Sequence, residues 1–262
     1  MLKTCCSLIF FFFCWLFLAN SSRAQSFGDV WLSTGIQSMA SKDEGFSLLN
    51  YIGNKSTSSV GFVLRKKDKT QWIQGNFSYG ELVNQPGGTM NEMEVNLTNY
   101  TFYHKSKAAL KGFQYGWSNK NTMHIRRHNQ FSNYSFRYDY FSALGPVARH
   151  LLPFDWKKKS FLWQNMAHWQ LLGIQVKSGY VGAEPENYQS ENSLADNFFN
   201  TVKPFLPIRN LDLNFTSTIF WELSTGNKLG LRYQTNYTKL SGIKSVYRLD
   251  HSVDLLLNVR LW

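Results

Sequence analysis

The residues whose types could support nucleophilic chemistry are two histidines that closely precede a serine. His124 and His128 lie before Ser132, and a histidine can act as the general base that activates a serine hydroxyl. His128 and Ser132 are four residues apart, and an expected loop boundary separates them. We therefore expect residues 118–130 to be a solvated basic loop near lipid head groups rather than the site of a catalytic pair.

The sequence contains few residues that could bind a metal ion or support redox chemistry. His168 is a lone histidine within an expected strand, where such a residue is usually a hydrogen-bonded structural group. The three cysteines, at positions 5, 6 and 14, fall in a segment that we expect to be removed. We accordingly expect no catalytic residue, no metal site and no cofactor.

Charged residues on the polar faces of expected strands are the remaining candidates. They are Glu94, Arg137, Asp139, Asp212, Glu222, Arg232, Asp254 and Arg260. If the strands close into a barrel, these side chains share its lumen, where an unpaired charge would be very costly. We expect a packed ion-pair network that fills the lumen, with Arg232 paired to Asp254 and Arg260 paired to Asp212 or Glu222. The alternative is a narrow pore lined by the same charges.

The strands that must position these charges are clearest in residues 210–262. Three consecutive segments there alternate apolar and polar residues, as in Val253, Leu255 and Leu257 against Asp254 and Asn258. Period-two alternation places each apolar set on one face of a sheet and each polar set on the other. Residues 224–227 supply the turn between the first two of these strands.

The N-terminus has the features of a signal peptide. Lys3 is followed by an apolar run over residues 5–18 and by a small-x-small site at Ser22–Ala24. The run is shorter than the roughly 20 apolar residues that a spanning helix requires. We expect residues 1–24 to be the signal peptide and residues 25–262 to form one domain.

Charge and composition narrow the class of protein further. The chain has 28 basic and 17 acidic residues, a formal net charge of +11, but the basic residues are scattered singly through strands or grouped in turns such as 66–69 and 157–159. That distribution does not form a nucleic-acid-binding stripe and suits attraction to anionic lipid head groups. The mean hydropathy of −0.32 combined with 16% aromatic residues is typical of a sheet in which every second residue faces lipid.

The order of strands and connections predicts an all-β fold, a membrane-spanning antiparallel up-and-down β-barrel of about ten strands (range eight to twelve). The inner turns are expected at 66–69, 105–107, 145–159 and 224–227, and the outer loops at 40–57, 82–90, 118–131, 181–203 and 240–245. Short turns at one end and long loops at the other are a rule of bacterial barrels. Aromatic rows such as Tyr100, Phe102 and Tyr103 are expected to form interfacial girdles.

The signal peptide, the alternating strands, the asymmetry of the loops and a final strand ending at Leu261–Trp262 resemble small single-chain Gram-negative outer-membrane β-barrels. The resemblance implies a location in the cell outer membrane and recognition of the C-terminal strand by the barrel-assembly machinery. Outer-membrane phospholipases and lipid A deacylases use a histidine and a serine about two residues apart on one strand face, which His128 and Ser132 do not match. An omptin-like protease would use Asp43, Glu44 and His124 at the outer mouth.

The sequence thus favours a non-enzymatic scaffold or assembly partner whose lumen is filled by side chains. A narrow pore or transporter is the alternative, and an outer-membrane lipid hydrolase is the second alternative. The expected partners are outer-membrane lipid and the barrel-assembly machinery, with an envelope protein as a further candidate and no nucleic acid.

Overall fold

The computed structural model describes residues 27–44, 47–66, 68–103, 112–128, 136–177, 196, 202–241 and 244–261. The expected signal peptide, Ser132, Trp262 and most of the expected outer loop 181–203 lie outside these residues.

The described residues are almost entirely β-strand. In chain order the strands are β1 (Phe27–Asp43), β2 (Asn50–Arg65), β3 (Lys69–Asn84), β4 (Thr89–Tyr103), β5 (Gly112–His128), β6 (Phe136–Trp156), β7 (Lys159–Gln170), β8 (Leu172–Lys177), β9 (Lys203–Phe205), β10 (Leu211–Glu222), β11 (Lys228–Leu240) and β12 (Val246–Leu261). No helix among the described residues is long and apolar enough to cross a membrane.

These strands close into one antiparallel barrel. Each of β1 to β6 pairs with the next, β6 pairs with β7, β7 with β10, β10 with β11, β11 with β12, and β12 returns to β1. β7 and β8 are successive parts of one barrel strand that is interrupted at Leu171, and β8 pairs with β6 and β9. The barrel therefore has ten strand positions, which confirms the predicted fold and strand number.

The connections lie at two ends. The terminal end holds Phe27, Leu261 and the connections at 66–68, 157–158 and 223–227, and the loop end holds those at 44–49, 85–88 and 241–245. The expected inner turn 105–107 lies outside the described residues. The described connections follow the predicted order, but three segments that were expected to be largely turn or loop are mostly strand: 40–57, 118–131 and 145–159.

The error over 145–159 came from two prolines. β6 pairs with β8 up to Leu144 and with β7 from Val147 onward, so Pro146 lies at the changeover, where the ladder on that side is already interrupted. Pro153 lies past Leu151, the last β6 residue that pairs with a described residue of β5. Proline is tolerated at bulges and edges because it has no N–H to give to a ladder.

The exterior of the barrel is apolar. On β12 the outward residues Leu249, Val253, Leu255 and Leu257 are between 41% and 67% exposed. The outward faces of the other long strands also carry large apolar residues, interrupted by polar residues such as Ser56 and Ser58 on β2. Soluble proteins rarely expose contiguous apolar patches larger than a few hundred Å². A closed sheet with an apolar outside can instead span a bilayer, because its backbone hydrogen bonds are satisfied internally.

The lumen near the terminal end is filled by a cluster that we call the aromatic layer. Its buried residues are Trp31, Val63, Trp72, Tyr100, Phe102, Val147, Met166, Phe220 and Leu256, which come from eight strands. Trp31 meets Trp72 edge-on, and Tyr100 stacks on Phe102. The prediction that Tyr100 and Phe102 belong to an interfacial girdle was wrong, because their positions on β4 face inward.

Candidate functional site

The polar part of the lumen contains a group of four side chains that we call the carboxylate cluster. Lys55 Nζ lies 3.3 Å from Glu92 Oε1 and 3.4 Å from Glu94 Oε2. Strand alternation places both glutamates on the inner face of β4, and the register of β4 and β5 sets His124 opposite Glu94. His124 Nδ1 lies 3.4 Å from Glu92 Oε1 and 3.8 Å from Glu94 Oε2.

Three members of the carboxylate cluster are of the types that bind metal ions. One ligand atom from each of Glu92, Glu94 and His124 lies within 4.8 Å of the others. The ammonium group of Lys55, however, already donates to both carboxylates, and the Lys55 side chain is fully buried. A metal ion would have to displace this positive charge, so the geometry favours an ion-pair role.

A second group, which we call the arginine cluster, lies toward the loop end. Arg126 bridges Asp43 and Asp139 through its two terminal nitrogens. Arg248 Nη2 donates to Asp139 Oδ2 at 2.8 Å, and Arg137 Nη1 lies 3.5 Å from Asp43 Oδ1. All five side chains are buried, and three guanidinium groups meet two carboxylates, which leaves one net positive charge. Arg248 Nε lies 4.0 Å from Glu92 Oε1, so the carboxylate cluster supplies a further negative charge to this group.

Two further ion pairs join the charged region to the rest of the lumen. Lys120 Nζ donates to both oxygens of Asp212, at 2.8 and 3.0 Å. Arg232 Nε donates to Asp254 Oδ2 at 3.0 Å, as the strand pattern predicted. The Arg232 guanidinium also lies 5.1 Å from the centre of the Trp31 ring, which connects this pair to the aromatic layer.

Six of the eight predicted network residues face the lumen: Glu94, Arg137, Asp139, Asp212, Arg232 and Asp254. The prediction was wrong for Glu222 and Arg260, which are exposed at the terminal rim, where β10 and β12 run beyond the packed interior. Glu222 pairs there with Lys228, and the backbone N–H of Arg260 donates to Asn227 Oδ1 at 3.2 Å. Asp212 pairs with Lys120, not with Arg260.

Several lumen charges were not predicted from the sequence. These are Asp29, Asp43, Lys55, Glu92, Lys120, Arg126, Arg149, Arg248 and Asp250. Most of them lie in segments that were expected to be loops, or before the expected start of the last strand. The signal was present on β5, where Lys120, His124, Arg126 and His128 occupy alternate positions.

Three histidines named in the sequence analysis, His124, His128 and His168, lie inside the barrel. His128 was expected in a solvated loop, but it is buried inside the barrel, with its Nε2 atom 2.9 Å from the Tyr51 hydroxyl. His168 is also buried, and its ring centre lies 5.4 Å from that of Tyr100. His124 belongs to the carboxylate cluster. Ser132 lies outside the described residues.

Small polar cavities lie between the charged region and the aromatic layer. Two cavities of about 30 and 50 Å³ share Gln37, Glu94, Asn96, Gln234 and Ser252 in their walls. Each is large enough for one or two water molecules, whose share of liquid volume is about 30 Å³. In the described part of the barrel, buried polar side chains line these cavities.

Comparison with known proteins places this fold in a class. No protein-family model and no curated protein sequence matches the chain. Among solved structures, the outer-membrane protease OmpT of Escherichia coli is 7% identical over 92% of this chain and 100% of its own, with a TM-score of 0.56. The β-domain of the Bordetella autotransporter BrkA and the transport unit of the autotransporter AIDA-I of E. coli have TM-scores of 0.44 and 0.45, at 10% and 9% identity. They cover 90% and 93% of this chain and 99% and 92% of their own.

The fold is that of the outer-membrane β-barrels of Gram-negative bacteria. The similarity to OmpT extends over nearly the whole chain, and the closed ten-strand sheet with an apolar exterior is the structure that such membranes accommodate. The architecture and the exterior together indicate the outer membrane as the location.

Proposed function

We propose that this barrel is a non-enzymatic scaffold or assembly partner in the outer membrane, with a lumen that does not conduct ions. The observation that carries the proposal is the aromatic layer, to which eight of the strands contribute buried side chains. An ion that crossed this layer would lose its hydration shell among apolar groups, which is very costly. The ion-paired region above the layer removes further space.

The proposal includes an orientation and its partners. Both described chain ends lie at the terminal end of the barrel, where the described connections are as short as the two residues 157–158. Bacterial barrels keep short turns in the periplasm and longer loops outside, so the terminal end would face the periplasm. β12, which ends at the terminal rim, would be the strand that the barrel-assembly machinery recognises.

Conductance across a planar lipid bilayer tests the proposal. The refolded chain should show a heat-modifiable band on a gel, which reports a folded barrel, and no stable single-channel steps. Trp72→Ala is the comparison variant, because it removes a tryptophan side chain from the aromatic layer and should produce conductance. Stable steps from the unmodified protein would overturn the proposal in favour of a pore, and release of fatty acid from outer-membrane lipid would favour a hydrolase.

A further inference from the structure

The hairpin between β6 and β7 projects from the terminal end of the barrel. Leu151 is the last β6 residue that pairs with a described residue of β5, and Phe161 is the first β7 residue that pairs with β10. On the rest of β6 the odd-numbered residues point inward and are buried. Pro153 and Asp155 are also odd-numbered, yet both are exposed. Among the described residues, 155–160 therefore lie past the last pairs of β7 with β10, and residues 152–154 have β7 as their described partner.

The turn of this hairpin has an unusual sequence for its backbone. Lys157 and Lys158 both have positive φ, at 48° and 61°. Two-residue turns of this kind favour Asn-Gly because a side chain in the left-handed region is disfavoured. The other positive-φ residues in the described chain are glycines, at Gly87, Gly112 and Gly226. Two lysines therefore occupy backbone positions that favour glycine or asparagine. Residues in such strained conformations occur most often at functional sites, which points to a function for these side chains.

The lysines at the tip lie beside aromatic rings that continue the outward face of the barrel. Lys157 Nζ lies 4.9 Å from the centre of the Trp156 ring, and Lys159 Nζ lies 4.5 Å from that of Trp221 on the adjacent strand. Trp156 is 60% exposed. In a membrane protein, tryptophan prefers the level of the head groups, and nearby lysines extend toward the phosphates.

The turn of the hairpin carries a net positive charge that would attract an anion. Three consecutive lysines, 157 to 159, are exposed together with a single carboxylate, that of Asp155. Asp155 accepts a hydrogen bond from the Ser160 hydroxyl at 2.8 Å. The positive excess is thus presented at the depth where the Trp156 ring would meet the membrane surface.

We propose that this lysine tip, residues 156–159, binds the phosphate head group of an anionic phospholipid in the leaflet at the terminal end of the barrel. The inference rests on the membrane location in the proposed function and names a lipid class and a site for it. A phospholipid fits better than a soluble acidic protein because the aromatic face is continuous with the bilayer-facing surface. The lipid can therefore contact the rings and the ammonium groups together.

The test uses a variant that should fold at least as well as the natural chain. Lys157→Asn combined with Lys158→Gly installs the residues that the turn geometry favours and removes two positive charges. Retention of phosphatidylglycerol and of phosphatidylcholine by the refolded barrel would be measured by native mass spectrometry. Each lysine near an anionic surface strengthens binding by roughly fivefold, so phosphatidylglycerol affinity should fall about 25-fold and phosphatidylcholine affinity should not change.

A matched control removes two lysines at the opposite end, Lys203→Asn with Lys239→Asn, and should keep the preference for phosphatidylglycerol. An unchanged preference in the turn variant, or an equal loss in the control, would overturn the proposed site. Displacement of the lipid by millimolar inorganic phosphate would identify a free anion as the ligand and overturn the lipid assignment. Conductance of the unmodified barrel would refute the scaffold proposal alone, since lipid retention is measured separately.

Discussion

Removing the carboxylate of Asp254 tests directly whether the lumen is packed or filled with water. Asp254 accepts hydrogen bonds from Arg232 Nε at 3.0 Å and from the Thr57 hydroxyl at 2.6 Å. In Asp254→Ala, the Arg232 guanidinium would lose its hydrogen bond to the carboxylate. It would keep its hydrogen bonds to the hydroxyls of Ser33 and Ser59, at 3.0 and 2.9 Å. A buried positive charge would then have no counterion at its Nε side.

The expected cost follows from the surroundings of the pair. Breaking a buried ion pair by removing one partner typically costs about 3–5 kcal/mol in free energy of unfolding. The two serine hydroxyls and the adjacent cavity of about 50 Å³, which admits water, place this site at the lower end of that range. We expect a loss of about 3 kcal/mol for Asp254→Ala. Replacing both Arg232 and Asp254 by leucine should recover much of it, because no charge is left unpaired.

Urea unfolding of the barrel refolded into phospholipid bilayers, followed by tryptophan fluorescence, measures these differences. Leu255→Ala is the matched control, since Leu255 is the next residue on β12 and faces outward at 67% exposure. Its truncation should cost less than that of Asp254. A loss below about 1 kcal/mol for Asp254→Ala, which is the range of solvent-exposed pairs, together with single-channel steps whose ion selectivity changes, would refute the packed lumen.

Three further outcomes are expected. Leu231→Arg should lower bilayer stability by roughly 2–4 kcal/mol, whereas Gln234→Arg on the inner face should cost less; equal losses by urea titration would mean that the outward face does not meet lipid. An epitope inserted at Pro86 should be reached by antibody on intact cells and one at Thr225 should not, and the reverse pattern would invert the proposed orientation. Trp72→Ala should lower the free energy of unfolding by about 3–5 kcal/mol and should produce measurable conductance. If this variant folds in normal yield and shows no conductance, the aromatic layer is not the barrier to ions.

Alternation made the barrel predictable because lipid outside and a polar lumen impose a period of two on each strand. The ten strand positions, their order and the Arg232–Asp254 pair could all be derived in this way. The pattern was missed on β5 beyond Trp117, where the outward residues Asn119, Asn121 and Arg127 are polar and interrupt the apolar row of the outer face. The sequence there resembles a loop, and the lumen residues Lys120 and Arg126 were missed with it.

The aromatic layer could not be predicted for a related reason. Aromatic residues occur both in girdles outside a barrel and in packed lumens, and composition does not separate the two. Only the parity of Trp31, Trp72 and Phe220 relative to long neighbouring strands shows that they face inward, and the register becomes known once the barrel closes. The end of β6 was misplaced because Pro146 and Pro153 predict a break in the strand. Both prolines lie where pairing with a neighbouring strand changes or ends, and that can be seen only when the neighbouring strands are known.

The lumen charges also specify the register of the strands. On β12, Arg248, Asp250 and Asp254 all point inward. A slip of one residue against β11 would turn all three toward lipid, because side chains alternate strictly between the faces of a sheet. An arginine on the lipid face costs roughly 2–4 kcal/mol near the bilayer midplane, and the buried partners of these residues would be left uncompensated as well. The ion pairs therefore penalise misaligned barrels more than they stabilise the correct one.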